Sequence, residues 1–240
     1  MSLPPLPELL WVNAITLLAA FVQTSSGVGF AMVSVPLLAL VDLAYLPAPM
    51  LMVSLLLSTM MSAGSRAHTV PAELRMLLPW TLGGVVVGAL ALRALPMERL
   101  GLVFGVLVLA GLAASILAPR VPMRAATLAP AGFASGLMGT VAGLHGPPLA
   151  ALYGKADPDK ARATIALVFT LGYAASLIAL FLAGLLDARR AVLGLALGPG
   201  TVAGFLAARA LRHWIAPPLA RGAMLAIAST SAVLLVARSL

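Results

Sequence analysis

Hydrophobic and polar positions in this chain are segregated into long blocks. Apolar residues fill 46–65, 76–95, 100–118, 163–186, 191–211 and 219–237. Each block approaches the roughly 20 residues that a helix needs to cross a hydrocarbon core. Polar turns separate them, at Arg66-Ala67-His68, Pro96 to Arg99, Pro119-Arg120, Asp187 to Arg190 and Arg212 to Pro218. Two further apolar stretches are interrupted. Residues 9–22 and 30–41 flank Gln23-Thr24-Ser25-Ser26-Gly27-Val28-Gly29, and residues 125–154 are broken around Thr140-Val141-Ala142-Gly143-Leu144-His145-Gly146-Pro147-Pro148. Glycine weakens a helix, and proline removes a backbone donor and clashes with the preceding turn. Neither arm of the first broken stretch is long enough to span, so it forms one broken span or a re-entrant hairpin.

The pattern occurs twice. An ungapped shift of 116 puts Thr24 on Thr140, Gly27 on Gly143, Gly84 on Gly200, Gly88 on Gly204 and Arg93-Ala94-Leu95 on Arg209-Ala210-Leu211. The expected organisation is a single membrane domain over 1–240, with one repeat in 8–119 and a second in 124–238. The expected fold class is an all-α polytopic membrane protein of two inverted repeats, each a broken or re-entrant helix hairpin plus three transmembrane helices. Such repeats are common in secondary transporters, and small residues at the spacing of Gly84 and Gly88 permit close helix approach.

Composition agrees with the blocks. Of 240 residues, 62% are hydrophobic and 9% charged, against about 25% charged in soluble domains. The mean hydropathy is +1.08. The net charge of +8 does not indicate nucleic acid, because the Lys and Arg lie in short clusters between apolar blocks. Positive residues are retained on the inner face of a membrane. If each broken stretch begins and ends on one face, ten of the 15 basic residues share a face and five (Arg93, Arg99, Arg189, Arg190, Arg238) lie opposite. If each broken stretch crosses, the bias disappears. The first arrangement predicts six full spans plus two hairpins, with both termini outside and a multi-pass location in the inner (plasma) membrane. The N-terminus has no positive n-region and makes a poor cleavable signal. There is no cysteine, so no thiolate metal site forms.

At the breaks the sequence resembles the sulfite exporter TauE/SafE family of membrane transporters. Gly27-Val28-Gly29-Phe30-Ala31 through Pro36-Leu37-Leu38 is similar to that family's glycine-rich segment followed by Pro-Leu. Gly143-Leu144-His145-Gly146-Pro147-Pro148 through Tyr153, with Lys160-Ala161-Arg162-Ala163 opening the next span, is similar to its second-half motif. The first motif departs in having Phe30 and Ala31 within a reduced glycine run. The resemblance implies export of sulfite or a small organosulfonate. The residues alone indicate a small anion, because a helix restarting inside a membrane exposes backbone N–H groups and the positive end of its dipole.

The candidate substrate-binding residues are Gln23, Thr24, Ser25, Ser26, Gly27 and Gly29 from the first break and Thr140, Gly143, His145, Gly146 and Pro147 from the second, with Arg162 at the entrance. Gln23 to Ser26 and Thr140 supply neutral donors. His145 is the ionisable residue within a break; it is either a ligand or proton carrier, or a neutral side chain satisfying irregular backbone. Arg162 either attracts anions or anchors the topology. No cofactor and no metal is expected: Met50, Met52, Met60 and Met61 read as flexible packing rather than soft-metal ligands. Asp157-Pro158-Asp159 reads as a solvated turn. The expected partners are a small anionic substrate and the lipid bilayer. A serine hydrolase using Ser25 or Ser26 with His145, and an accessory protein without transport, are the competing readings; no P-loop is present.

Overall fold

The first apolar run carries its helix straight through the polar stretch that follows. In the computed structural model, which describes residues 4–63, 69–117, 122–153, 157–211 and 217–240, α1 extends over Leu6–Ser26. Gln23 to Ser26 therefore continue the helix instead of interrupting it. Ser25 Oγ donates to the Phe21 carbonyl at 2.9 Å and Ser26 Oγ to the Val22 carbonyl at 2.8 Å. Back-bonding of this kind lets a hydroxyl residue stay in a helix in an apolar setting. The break is confined to Gly27-Val28-Gly29. Gly27 and Gly29 have φ of 88° and 125°, backbone that a side chain would strain. The chain then restarts as α2 (Phe30–Val41) and turns through a 3-10 segment at Leu43–Tyr45.

The remaining helices are α3 (Ala48–Ala63), α4 (Pro71–Ala94), α5 (Leu100–Leu117), α6 (Ala125–Ala142), α7 (Gly146–Tyr153), α8 (Pro158–Leu182), α9 (Ala188–Ala196), α10 (Gly198–Leu211) and α11 (Pro217–Ser239). No strand occurs among the described residues. In the second half α6 is capped at its C-terminus by Gly143, φ 67°, and α7 begins at Gly146. The expected span 191–211 is divided at Leu197. Pro199 has no N–H to continue the ladder there. The freed groups are met from α1: Asn13 Nδ2 donates to the Ala196 carbonyl (2.9 Å), Asn13 Oδ1 accepts from Gly200 N–H (2.7 Å), and Thr16 Oγ1 donates to the Leu197 carbonyl (3.3 Å). Irregular backbone in lipid requires such partners.

Among the described residues, six helical stretches are long and apolar enough to cross a membrane: Leu6–Ser26, Pro71–Ala94, Ala125–Ala142, Lys160–Leu182, Ala188–Leu211 and Gly222–Ser239. The number equals the expectation but the membership differs. The first arms of both broken stretches qualify, while Ala48–Ala63 and Leu100–Ile116 are shorter apolar helices. Large apolar side chains such as Val86, Leu90, Ile178 and Phe181 are exposed on the outside of the bundle, as a lipid-facing surface requires. Arg66, Arg120, Lys155 and Arg212, four of the ten basic residues placed on one face above, lie outside the described residues.

Two seams organise the bundle. Gly132 and Gly136 of α6 lie against Leu77 and Thr81 of α4, and further along Gly84 and Gly88 of α4 meet Phe133, Leu137 and Thr140 of α6. These helices therefore run parallel, so close that a side chain at Gly136 would overlap the Thr81 carbonyl. Gly200 and Gly204 of α10 sit in the same way against Asn13, Thr16, Leu17 and Ala20 of α1, again parallel. Each break-bearing helix is thus backed by a helix of the opposite half. Helix α5 lies antiparallel on α11, with Gly101 beside Ser239 and Gly105 beside Val236. The Tyr45 hydroxyl donates to Glu8 Oε1 at 2.7 Å, so the end of the α1–α2 segment returns to its beginning. The Tyr153 hydroxyl donates to Glu73 Oε2 at 2.6 Å. Since α4 and α6 start on one side, the end of α7 also returns to the side where α6 starts.

Candidate functional site

The two breaks meet inside the bundle. Val28 of the first packs against Gly146 at the start of α7, and Ala31 of α2 packs against Gly143. Between them is a small cavity lined by Gln23, Gly29, Ala31 and Met32 from the first half and Gly143, Leu144, Gly146, Pro147, Phe169 and Tyr173 from the second. It offers about 10 Å³ to the centre of a water-sized atom, room for roughly one water molecule. The N-termini of α2 and α7 both open on it. A helix leaves the N–H groups of its first turn without helical partners. In α2 the first N–H, Phe30, is taken by Gln23 Oε1 at 3.0 Å, and the ladder resumes at Val33, which donates to Gly29 O at 3.1 Å. Ala31 and Met32, between them, line the cavity, and their N–H groups belong to the same first turn. Helix α7 contributes differently, because Pro147 and Pro148 carry no N–H. It offers the Gly146 N–H and its dipole. No cationic side chain lines the cavity, so the site is made of neutral donors and helix ends.

Gln23 is buried, at 2% exposure, and joins the arms of the first break. Its Nε2 points to Met61 Sδ at 3.9 Å. The orphan carbonyls at the end of α6 are served by Gly143 N–H, which donates to Gly139 O (2.8 Å), and Leu144 N–H, which donates to Met138 O (3.2 Å). The Tyr173 hydroxyl donates to the Gly143 carbonyl at 2.9 Å and so fixes the apex of the second break to α8.

His145 is fully buried beside the cavity rather than on its wall. Its ring lies between Gly139 of α6 and Gly172 of α8, where any side chain would overlap it. Tyr173 meets it edge-on, with centroids 4.5 Å apart. Ser135 Oγ donates to the His145 carbonyl at 2.9 Å and lies 3.2 Å from Nδ1. With its single proton committed, that hydroxyl accepts from Nδ1–H. Nε2 is buried without a hydrogen-bond partner.

The sulfite exporter TauE/SafE family model matches residues 12–235, which takes in both breaks and every helix around the cavity. The chain belongs to the sulfite exporter TauE/SafE family. No match was found among curated proteins or solved structures. Membership in a transporter family, with six helical stretches able to cross a bilayer, makes this a multi-pass membrane protein.

Within this TauE/SafE chain the structure brings Gln23, Gly29, Gly143, Gly146 and Pro147 together on one cavity. Gly27 does not line it and has the aliphatic stem of Arg162 alongside. Arg162 itself is exposed near the start of α8. Ser25 and Ser26 spend their hydroxyls on backbone carbonyls, Ser26 reaching the Val28 carbonyl as well. Thr140 Oγ1 donates to Gly136 O and pairs with Ser176 Oγ at 2.8 Å. Thr24 Oγ1 is buried without a partner. Ala31, Met32, Leu144, Phe169 and Tyr173 complete the wall and were not singled out from sequence. Ala31, Met32 and Leu144 adjoin the breaks and were open to that reading. Phe169 and Tyr173 sit inside an unbroken span, where no local signal marks them.

Proposed function

We propose that this protein exports a small sulfur-containing anion, sulfite or an organosulfonate, across the inner membrane by alternating access at the cavity between the two breaks. The observation that carries the reading is the convergence of the α2 and α7 N-termini on one cavity walled by both halves. Two positive helix ends and the first-turn N–H groups of Ala31 and Met32 suit an oxyanion. The absence of a lining cation suits a substrate that must leave again. Family membership supplies the sulfur-oxyanion class.

The two halves act as inverted repeats, each contributing a re-entrant hairpin. The seams α4 on α6 and α10 on α1 are exchanged between halves as a two-fold relation requires, and the Tyr45–Glu8 and Tyr153–Glu73 contacts support return of each hairpin to its own face. Both termini are outside, and the basic majority, including Arg75, Arg124, Lys160, Arg162 and Arg209, is cytoplasmic. Transport then consists of opening this narrow, water-sized centre toward one face at a time. The role is transport rather than catalysis: Ser25 and Ser26 are bonded to helix carbonyls, and the serine that His145 touches is Ser135.

The test is flux of labelled sulfite, sulfoacetate, taurine and carboxylate analogues in proteoliposomes. Saturable sulfite or sulfonate flux, with apparent affinity weakened in Gln23→Ala, is expected. Flux of carboxylates alone, or no flux above protein-free liposomes, would overturn it.

A further inference from the structure

Two of the glycines that line the cavity have positive φ, and against each lies a methionine. At Gly29 a side chain would overlap the Met224 sulfur, and at Gly143 it would overlap the Met50 methyl. Both methionines are buried, Met50 at 0% and Met224 at 2% exposure. They come from opposite directions. Met50 lies in the first turn of α3, which leaves the end of the bundle where Tyr45 meets Glu8. Met224 lies two turns into α11, which begins after α10. Because α10 runs parallel to α1, that start is at the end remote from Glu8.

The geometry points to Met50 and Met224 as the two gates of the cavity, one closing each face. The other lining glycine, Gly146, is backed by Val28 and Phe169, which are short or rigid. A methionine has three rotatable side-chain bonds and a soft thioether, so it fills a gap and leaves it by changing rotamer without moving a helix. At Gly29 and Gly143 no Cβ obstructs the opening. The inference deepens the transport reading above and rests on it for its purpose, since a gate serves a site that is reached from two sides.

Because the chain has no cysteine, Ala31→Cys places a single thiol in the cavity wall. Its rate of modification by a membrane-impermeant, positively charged methanethiosulfonate is measured in sealed vesicles of each orientation. Adding Met50→Ala should speed labelling at least tenfold from the Glu8 face alone. Adding Met224→Ala should do so from the opposite face alone. Unchanged rates, or acceleration from both faces together, would overturn the assignment. Met50→Leu and Met224→Leu keep the volume and remove flexibility; they should slow labelling several-fold from the corresponding face. They decide the matter if an alanine variant does not fold, and unchanged rates in both would again overturn it. Sulfite flux measured in parallel vesicles that hold the unsubstituted protein separates the two ideas. Face-specific labelling without sulfite flux supports the gates and removes the substrate assignment.

Discussion

Gln23 and Phe30 are joined across the first break by one hydrogen bond, the Phe30 N–H donating to Gln23 Oε1 at 3.0 Å. The side chain at the end of one helix thus caps the start of the next. It holds the α2 N-terminus toward the cavity and leaves Ala31 and Met32 as its first-turn donors. Removing the cap strands a buried backbone donor, which costs about 1–3 kcal/mol. Gln23→Ala should lower the unfolding temperature in detergent and weaken apparent anion affinity. Gln23→Glu keeps an acceptor for Phe30 but adds a negative charge beside the site. It should keep more of the stability and lose more of the flux. Equal behaviour of the two variants would separate the cap from substrate binding.

The ring of His145 occupies a slot that exists because residues 139 and 172 are glycine. Gly139→Ala drives a methyl into the imidazole, and overpacking of this kind costs about 1–3 kcal/mol. His145→Ala alone should also destabilise, by emptying the slot and removing the Nδ1–H donor to Ser135. The double variant should be more stable than the sum of the single changes, because the second removes the clash of the first. Additive unfolding temperatures would show that the ring does not fill this slot in the bilayer.

Two tyrosine–glutamate contacts tie the hairpin ends. Burial first, and then the Glu8 carboxylate, raise the Tyr45 hydroxyl above its ordinary value, so it remains a donor through neutral and mildly alkaline pH. A raised tyrosine keeps its stabilising effect until pH rises through the folded value. The loss of stability in Tyr45→Phe, about 1.5 kcal/mol or less for one bond to a partly exposed carboxylate, should therefore be constant between about pH 7 and about pH 9. The loss should shrink only above about pH 10, where the unfolded hydroxyl ionises first; a loss that stayed the same there would mean that the folded hydroxyl ionises normally.

Much of the fold could be read from the chain because lipid imposes few solutions on an apolar sequence. The blocks, the glycine breaks and the glycines later found in the seams were visible. The helical character of Gln23 to Ser26 was not. A polar run inside an apolar one reads as a break, but serine hydroxyls can satisfy themselves on the preceding turn, as Ser25 and Ser26 do. The division at Leu197 was hidden for the converse reason: its partner, Asn13, lies 183 positions from Ala196. The site is legible where backbone chemistry makes it, at Gly29, Gly143, Gly146 and Pro147. It is illegible where unbroken α8 brings Phe169 and Tyr173 to it, because a span carries no mark of which face turns inward.

Asn13 predicts its own test. One amide serves the Ala196 carbonyl and the Gly200 N–H across the α9–α10 junction. Asn13→Leu should destabilise by about 2–6 kcal/mol, since two backbone groups lose partners at about 1–3 kcal/mol each. Asn13→Asp retains the acceptor for Gly200 alone and should fall between. Thermal unfolding in detergent ranks the three; a leucine variant as stable as the parent would show that the junction finds other partners.

The return of each hairpin to its own face makes a prediction about sidedness that the alternative topology reverses. If α1–α2 returns, cysteines at Pro5 and Asp42 label from one side. If the segment crosses, they label from opposite sides. The same holds for cysteines at Ala126 and Asp157 around α6–α7. The returning arrangement also fixes the relation between the pairs. Helices α3, α4 and α5 lie between them, three crossings, so the pairs must label from opposite faces. The positive-inside rule places Ala126 and Asp157, beside Arg124, Lys160 and Arg162, in the cytoplasm. An impermeant maleimide applied to intact cells should therefore modify the Pro5 and Asp42 variants, and modify the Ala126 and Asp157 variants only after the cells are opened. If the two members of either pair label from different sides, the break concerned is a crossing. The α2 and α7 helix ends would then not approach one centre from opposite faces.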